Sequence, residues 1–223
     1  MHKFIAASSA YSRRKAEELI QAGQVKVNDQ LVKKMGTVID PDRDRVNVAG
    51  RLIKPTKAYD YIALNKPPGF VCTRARFQSE KSIYQLVPTF RNLVLTGRLD
   101  KKTGGLVILT DDGDLVQKLT HPRFQHQKEY LIEVDKPLSS TDLKMLRRGI
   151  RLEEGLAKAD QIFLVKSNQI KMTLHQGWKR QIRRMLEKIG YQAKSLTRIR
   201  LGKYQLGNLP SGKYKRIVKD DII

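Results

Sequence analysis

The chain has 223 residues, 30% of them charged and 40% hydrophobic, and its 44 Lys and Arg against 22 Asp and Glu give a formal net charge of +22. That length can hold one or two ordinary cores and excludes a staple-dependent miniprotein, while the apolar content excludes a disordered basic tail. An excess of positive charge this large points to a polyanionic partner. The single cysteine, Cys72, leaves no intramolecular disulfide, thiolate zinc site or iron–sulfur cluster, and it fits a reducing, cytoplasmic setting. No apolar run approaches the roughly 20 residues of a membrane helix, and no basic-then-apolar leader opens the chain, so no membrane partner is expected. The charge is uneven: residues 171–223 carry 14 basic and 3 acidic side chains, half of the excess.

In chain order, Ser12 predicts the N-cap of a helix running to about Ala22, with Ala16, Leu19 and Ile20 on one face and Gly23 as the stop. Arg13, Arg14 and Lys15 crowd its first turn, where cations oppose the helix dipole; a surface that receives phosphates explains them. Val25 and Val27 alternate, Asn28-Asp29 marks a turn, and Leu31, then Val46 and Val48 after a turn at Pro41–Asp44, complete a small hairpin-containing sheet. This first domain is expected to span residues 1–54, with a linker at 55–60.

Residues 61–223 read as a larger α+β domain, because helical and strand patterns follow each other with mixed spacing. YIALNKP is an apolar strand entering a Pro67-Pro68-Gly69 turn, NLVLTG and GLVILT flank RLDKKTG, KEYLIEV alternates, and TDLKMLRRGI is helical. Beyond Gly177, residues Ile182, Met185, Leu186 and Ile189 form one apolar stripe that Gly190 closes. There is no phosphate-cradling glycine loop and no nucleophile elbow, and the histidines at 2, 121, 126 and 175 lack metal-ligand spacing. Neither a metal nor a nucleotide cofactor is expected.

Asp100 stands out. It lies in GRLD between two apolar strands, with Arg98 before it and Lys101 and Lys102 after it. One reading makes it a turn cap or a local ion-pair partner. The other makes it a carboxylate kept ionised by neighbouring cations and available as nucleophile or base in an RNA-binding cleft. The local sequence leaves both open.

Two resemblances bear on this choice. Residues 2–53, with SRRKAEELIQAGQVKVN as the hallmark, resemble the small RNA-binding domain shared with the fourth small-subunit ribosomal protein. That resemblance implies that Arg13, Arg14, Lys15 and Lys26 meet the phosphates of structured RNA. LNKPPGFV, GRLDKKTGGLVILTDDGDL, KEYLIEV and RQIRRM, in this order, resemble the RsuA/RluB-type ribosomal RNA pseudouridine synthases. Together the two resemblances cover essentially the whole chain. They imply a helix–helix–hairpin RNA-binding domain followed by a mixed-sheet catalytic domain. The implied activity is isomerisation of a uridine in ribosomal RNA, or in a ribosomal assembly intermediate, without a cofactor. Asp100 would be the nucleophile, Arg183 of the QIR segment its partner, and Tyr130 the side chain against the target base. Whether the carboxylate attacks covalently or removes a sugar proton to give a glycal is left open.

The remaining candidates follow from geometry beside that resemblance. Arg183 lies about 100° round the helix from Ile182, on the border of the stripe, whereas Arg180 and Arg184 point away toward RNA phosphates or solvent. Lys128 and Tyr130 share one face of their strand; the tyrosine is either a core aromatic beside Ile132 and Val134 or, as the resemblance implies, a stacking ring whose hydroxyl takes the last ring proton. Arg98 either helps displace the target nucleotide from its stack or makes a phosphate contact at the strand edge. Two segments depart from the family pattern: Gly177-Trp178-Lys179 stands where Gly-Arg-Asn is usual, and Thr110-Asp111-Asp112-Gly113 where TNDG is usual. Both leave the flanking RNA contacts open, and Trp178 is either a stacking platform or part of the core, with the core slightly favoured. His121-Pro122 and GIRLEEG (149–155) bring the resemblance closer to large-subunit enzymes. A monomer is expected, since no heptad or exposed apolar repeat is present.

Overall fold

The computed structural model describes every residue except 10, 41–42, 55–58 and 76–78, and it divides into two compact units, Met1–Tyr59 and Asp60–Ile223. In the first, α1 (His2–Ser8) and α2 (Arg13–Gln21) precede four short strands: β1 (Val25–Val27), β2 (Gln30–Leu31), β3 (Val46–Val48) and β4 (Arg51–Ile53). The strands are ordered β2-β1-β3-β4. The Ser12 hydroxyl accepts the Lys15 N–H at 3.1 Å, so the predicted cap is in place. Ala16, Leu19 and Ile20 bury against Ile5, Val25, Val46 and Val48. Asn28 and Asp29 have φ of 49° and 66°, the paired left-handed conformation that a tight two-residue hairpin turn requires. The turn at Pro41–Asp44 falls partly outside the described residues, as does all of the 55–60 linker except 59 and 60.

The second unit contains β5 (Tyr61–Lys66), β6 (Phe70–Val71), β7 (Lys81–Ser82), β8 (Val94–Leu95), β9 (Gly104–Thr110), α3 (Gly113–Thr120) and β10 (Lys128–Val134). It continues with α4 (Ser140–Arg148), β11 (Ile150–Leu152), β12 (Gly155–Ala157), β13 (Gln161–Lys166), β14 (Gln169–Leu174), α5 (Gln181–Lys188), β15 (Ala193–Leu201), β16 (Tyr204–Gln205) and β17 (Tyr214–Arg216). Its main sheet runs β13-β14-β10-β15-β9-β5-β17, with β16 beside β15 and β8 beside β9. Among the described residues, the pairing of β15 with β9 is the one parallel contact in this mixed sheet. Two antiparallel half-sheets therefore meet along a single parallel seam.

The continuous apolar runs of β5 and β9 follow from cover on both faces of their half-sheet. Ile62, Leu64, Val107 and Leu109 enter one core, while Tyr61, Ala63, Leu106 and Ile108 enter another. On the other half-sheet, Ile132 and Val134 of β10 pack with Ile182, Met185 and Leu186, the predicted stripe of α5. At the seam, Gly105 has φ of +99°, and a Cβ there would lie 2.3 Å from the carbonyl oxygen of Arg198. Only glycine lets the two strands approach this closely. No helix among the described residues is long and apolar enough to cross a membrane.

Candidate active site

Asp100 sits in the loop between β8 and β9, and two buried cations hold that loop from behind. Lys66 continues the Ile62–Leu64 face of β5 and is fully buried. Its ammonium donates to the carbonyls of Thr103 at 2.6 Å, Pro67 at 3.1 Å and Lys101 at 3.3 Å. Burial pushes the Lys66 pKa down, and the nearby Cys72 and Asp100 oppose that shift. Arg183, buried on α5, donates to the carbonyls of Lys102 and Ala193, both at 3.1 Å. Burial, then the neighbouring Arg180, push its pKa down, against the attraction of Asp100 and Glu187. Consecutive carbonyls at 101, 102 and 103 are thus fixed, and the Leu99 N–H just ahead of Asp100 donates to the Cys72 thiol at 3.4 Å. Burial raises the pKa of that thiol.

The implied Arg183–Asp100 pairing takes a different form. No ion pair joins them among the described residues: Nη1 and Nη2 donate to backbone carbonyls, Nε is buried without a hydrogen-bond partner, and the two side chains interact through their fields. The turn-cap reading of Asp100 is not realised either. Its backbone carbonyl accepts the Thr103 N–H at 3.0 Å, but its carboxylate makes no hydrogen bond among the described residues. Asp100 lines a cleft.

That cleft has a volume of about 550 Å³. Among its described lining residues Asp100 is the one acid, against Arg98, Lys101, Lys128, Lys179, Arg180 and Arg198. Tyr130 is half-buried, lines the cleft and packs against the cores of both half-sheets. Lys128, on the same face of β10, donates to the His175 carbonyl at 3.1 Å; desolvation, then repulsion from Arg198, lower its pKa to about 8. Arg180 is the N-cap of α5, held at a left-handed φ of 51°, with Glu187 at 3.6 Å. Arg98 is exposed at the rim. Trp178 packs partly buried against the core and also lines the cleft, so both of its sequence readings stay open.

The other predicted residues lie elsewhere. Arg184 does not line the cleft; Glu154 holds it with two bonds of 2.7 and 2.9 Å. Arg13, Arg14, Lys15 and Lys26 are exposed on α2 and β1 of the first unit, and Lys15 pairs with Glu18 at 3.0 Å. In the Thr110–Gly113 segment both acids are structural: Asp111, the position that departs from the family pattern, accepts the Asp60 N–H at 2.9 Å, and Asp112 caps α3 by accepting the Asp114 and Leu115 N–H groups at 3.1 and 2.9 Å. No cluster of three His, Cys, Asp or Glu suited to a metal ion occurs among the described residues. Sequence reasoning missed Lys66, Arg198 and the anchoring role of Cys72. The available signal was periodicity, since Lys66 follows Ile62 and Leu64, and Arg198 follows Leu196, on buried strand faces.

Known proteins share this architecture. The RNA pseudouridylate synthase family model matches residues 60–188, and the S4 domain model matches residues 2–44. An uncharacterized RNA pseudouridine synthase of Aquifex aeolicus (strain VF5) is 37% identical over 228 residues, covering 100% of this chain and 91% of that protein. The dual-specificity RNA pseudouridine synthase RluF of Escherichia coli (strain K12) is 36% identical over 225 residues, covering 100% and 77%. The ribosomal large subunit pseudouridine synthase B of Bacillus subtilis (strain 168) is 35% identical over 232 residues, covering 100% and 93%. A crystal structure of a pseudouridylate synthase superposes with a TM-score of 0.70 at 28% identity, covering 99% of this chain and 96% of that one. The class is therefore an RNA-binding S4 domain joined to a uridine-isomerising domain. The chain belongs to the RNA pseudouridylate synthase family.

Proposed function

We propose that the chain isomerises a specific uridine of large-subunit ribosomal RNA, free or within an assembly intermediate, to pseudouridine, acting as a monomer with Asp100 as the nucleophile and no cofactor. The observation that carries this reading is the state of Asp100: the one acid among the described lining residues of a basic cleft, on a loop fixed from behind, its carboxylate without a hydrogen bond from any described residue. A group held in place before the substrate arrives needs little reorganisation during reaction. The chemistry balances without an added reagent. The N1–C1′ bond breaks, the ring turns, a C5–C1′ bond forms, the C5 proton leaves and N1 gains one. Asp100 either holds C1′ or the ring covalently, or takes the sugar proton that gives a glycal. Tyr130 supplies the stacking face, Lys128 and Arg180 meet phosphates beside the cleft, and Arg98 helps draw the nucleotide from its stack. Arg13, Arg14, Lys15 and Lys26 give the first unit its own phosphate contacts. The large-subunit assignment draws support from the name of the Bacillus subtilis relative.

The test is pseudouridine mapping of ribosomal RNA from cells lacking the gene, complemented by wild type or by Asp100→Asn. One site lost in the deletion and restored by wild type alone is the expected result. No lost site, or equal restoration by the mutant, would instead leave a factor that acts through RNA binding.

A further inference from the structure

Arg198 has no place in the mechanism above, and its surroundings are unusual for an arginine. It is 1% exposed, yet no carboxylate pairs with it among the described residues. Its Nε donates to the Leu106 carbonyl at 2.7 Å, while Nη2 is buried without a hydrogen-bond partner. A buried cation with an unmet donor is costly unless a ligand or a developing charge completes it. The side chain lines the cleft that holds Asp100 and Tyr130.

The backbone is shaped to aim it there. In the pairing of β10 with β15, Glu129 faces Arg200 and Tyr130 faces Arg198, so Ile199 is an extra residue and the register shifts between Glu129 and Tyr130. Without that bulge, Arg198 and Arg200 would lie on one face of the strand. With it they oppose adjacent residues of β10, whose side chains point to opposite faces. Arg200 accordingly pairs with Glu129 at 3.2 Å, and Arg198 joins Tyr130 on the cleft face.

We propose that Arg198 binds a carbonyl oxygen of the target uracil at the floor of the cleft and stabilises the negative charge that the ring carries during isomerisation. This rests on the pseudouridine synthase reading of the same site. If the N1–C1′ electron pair leaves with the ring, the charge spreads over N1, O2 and O4 until C5 bonds to C1′. If Asp100 first adds to the ring, the charge falls on the carbonyl that becomes an enolate. Either route places negative charge on a carbonyl oxygen, where a preorganised buried donor acts most strongly. A phosphodiester carries a sugar on each side and suits the exposed rim, whereas the flat edge of a base stacked on Tyr130 can reach a side chain directly across the ladder from that ring.

The experiment uses the full chain and an RNA fragment spanning the mapped uridine, with that uridine as the normal base or as its 2-thio or 4-thio analogue. Arg198→Gln should lower the single-turnover rate at saturating RNA by about 10²–10³-fold, the effect of removing one such donor, with Kd within about threefold of wild type. For the contacted oxygen, the oxo-to-thio rate ratio should differ about tenfold or more between wild type and variant, a coupling that a merely structural role would not produce. Should Arg198→Gln fail to fold in a thermal melt, Arg198→Lys, which keeps the buried cation, is judged by the same ratio. A wild-type rate in the variant, or equal ratios for both analogues, overturns the proposal. So does a weakened Kd with an unchanged saturating rate, which would mark a phosphate contact. A wild-type enzyme that leaves the fragment unconverted would overturn the functional reading itself, and this proposal with it.

Discussion

The two units use positive charge in opposite ways. In the first, Arg13, Arg14 and Lys26 stand exposed on a surface whose core is wholly apolar. In the second, Lys66, Arg183 and Arg198 are buried, and their hydrogen bonds go to backbone carbonyls. Exposed cations neutralise phosphates and are screened by salt. Buried ones fix geometry and act through a poorly screened field. Affinity and rate should therefore separate along the chain.

The sharpest break comes from Asp100→Asn, which removes the charge and keeps the shape. Single-turnover isomerisation should fall by about 10⁴-fold or more while RNA affinity stays within about threefold of wild type; a modest loss of rate would deny Asp100 its role. Lys66→Met comes next. It frees the carbonyls of Lys101 and Thr103 in the Asp100 loop, together with that of Pro67, and a displacement of about 1 Å costs roughly 10²-fold in rate, so the rate should drop while filter-binding Kd is unchanged. In the first unit the pattern reverses. Replacing Arg13, Arg14 and Lys15 together by alanine should weaken binding about tenfold and lower the slope of log K against log salt by about 2, leaving the saturating rate intact.

The smallest effect concerns pH. Lys128 has a pKa of about 8 in the fold, against the ordinary 10.5 of an unfolded lysine. Between those values the unfolded chain binds more protons, so this residue makes stability rise with pH through that window, and Lys128→Gln should flatten the rise in urea titrations. A phosphate beside Lys128 would favour its charged form. RNA binding should accordingly weaken a few-fold as pH climbs through about 8, in wild type and not in Lys128→Gln. A pH-independent Kd would remove Lys128 from the interface.

What the sequence disclosed follows the range of the forces involved. The Ser12 cap, the Asn28-Asp29 turn and the α5 stripe depend on neighbours within a few positions, and all three are as predicted. Asp100 was legible as an oddity, but its chemistry came from resemblance. Helix geometry put Arg183 at the border of the stripe; its partners, the carbonyls of residues 102 and 193, are set by the tertiary fold. Lys66 and Arg198 were missed because a lone cation in a strand reads as solvated. Their burial depends on carbonyls brought in from distant positions, and the bulge that aims Arg198 has no local signature.

The parallel seam also bears on how the molecule is made. Thr197 and Arg198 pair there with Gly104 and Gly105, and the bond from Arg198 to Leu106 spans 92 positions. Contacts so far apart along the chain close late, after hairpins such as β13-β14 have formed from adjacent segments. During synthesis, residues 1–59 of the first unit are complete long before residues 193–201 leave the ribosome. The cleft is finished only when that late strand docks, so it is the last part of the molecule to take shape.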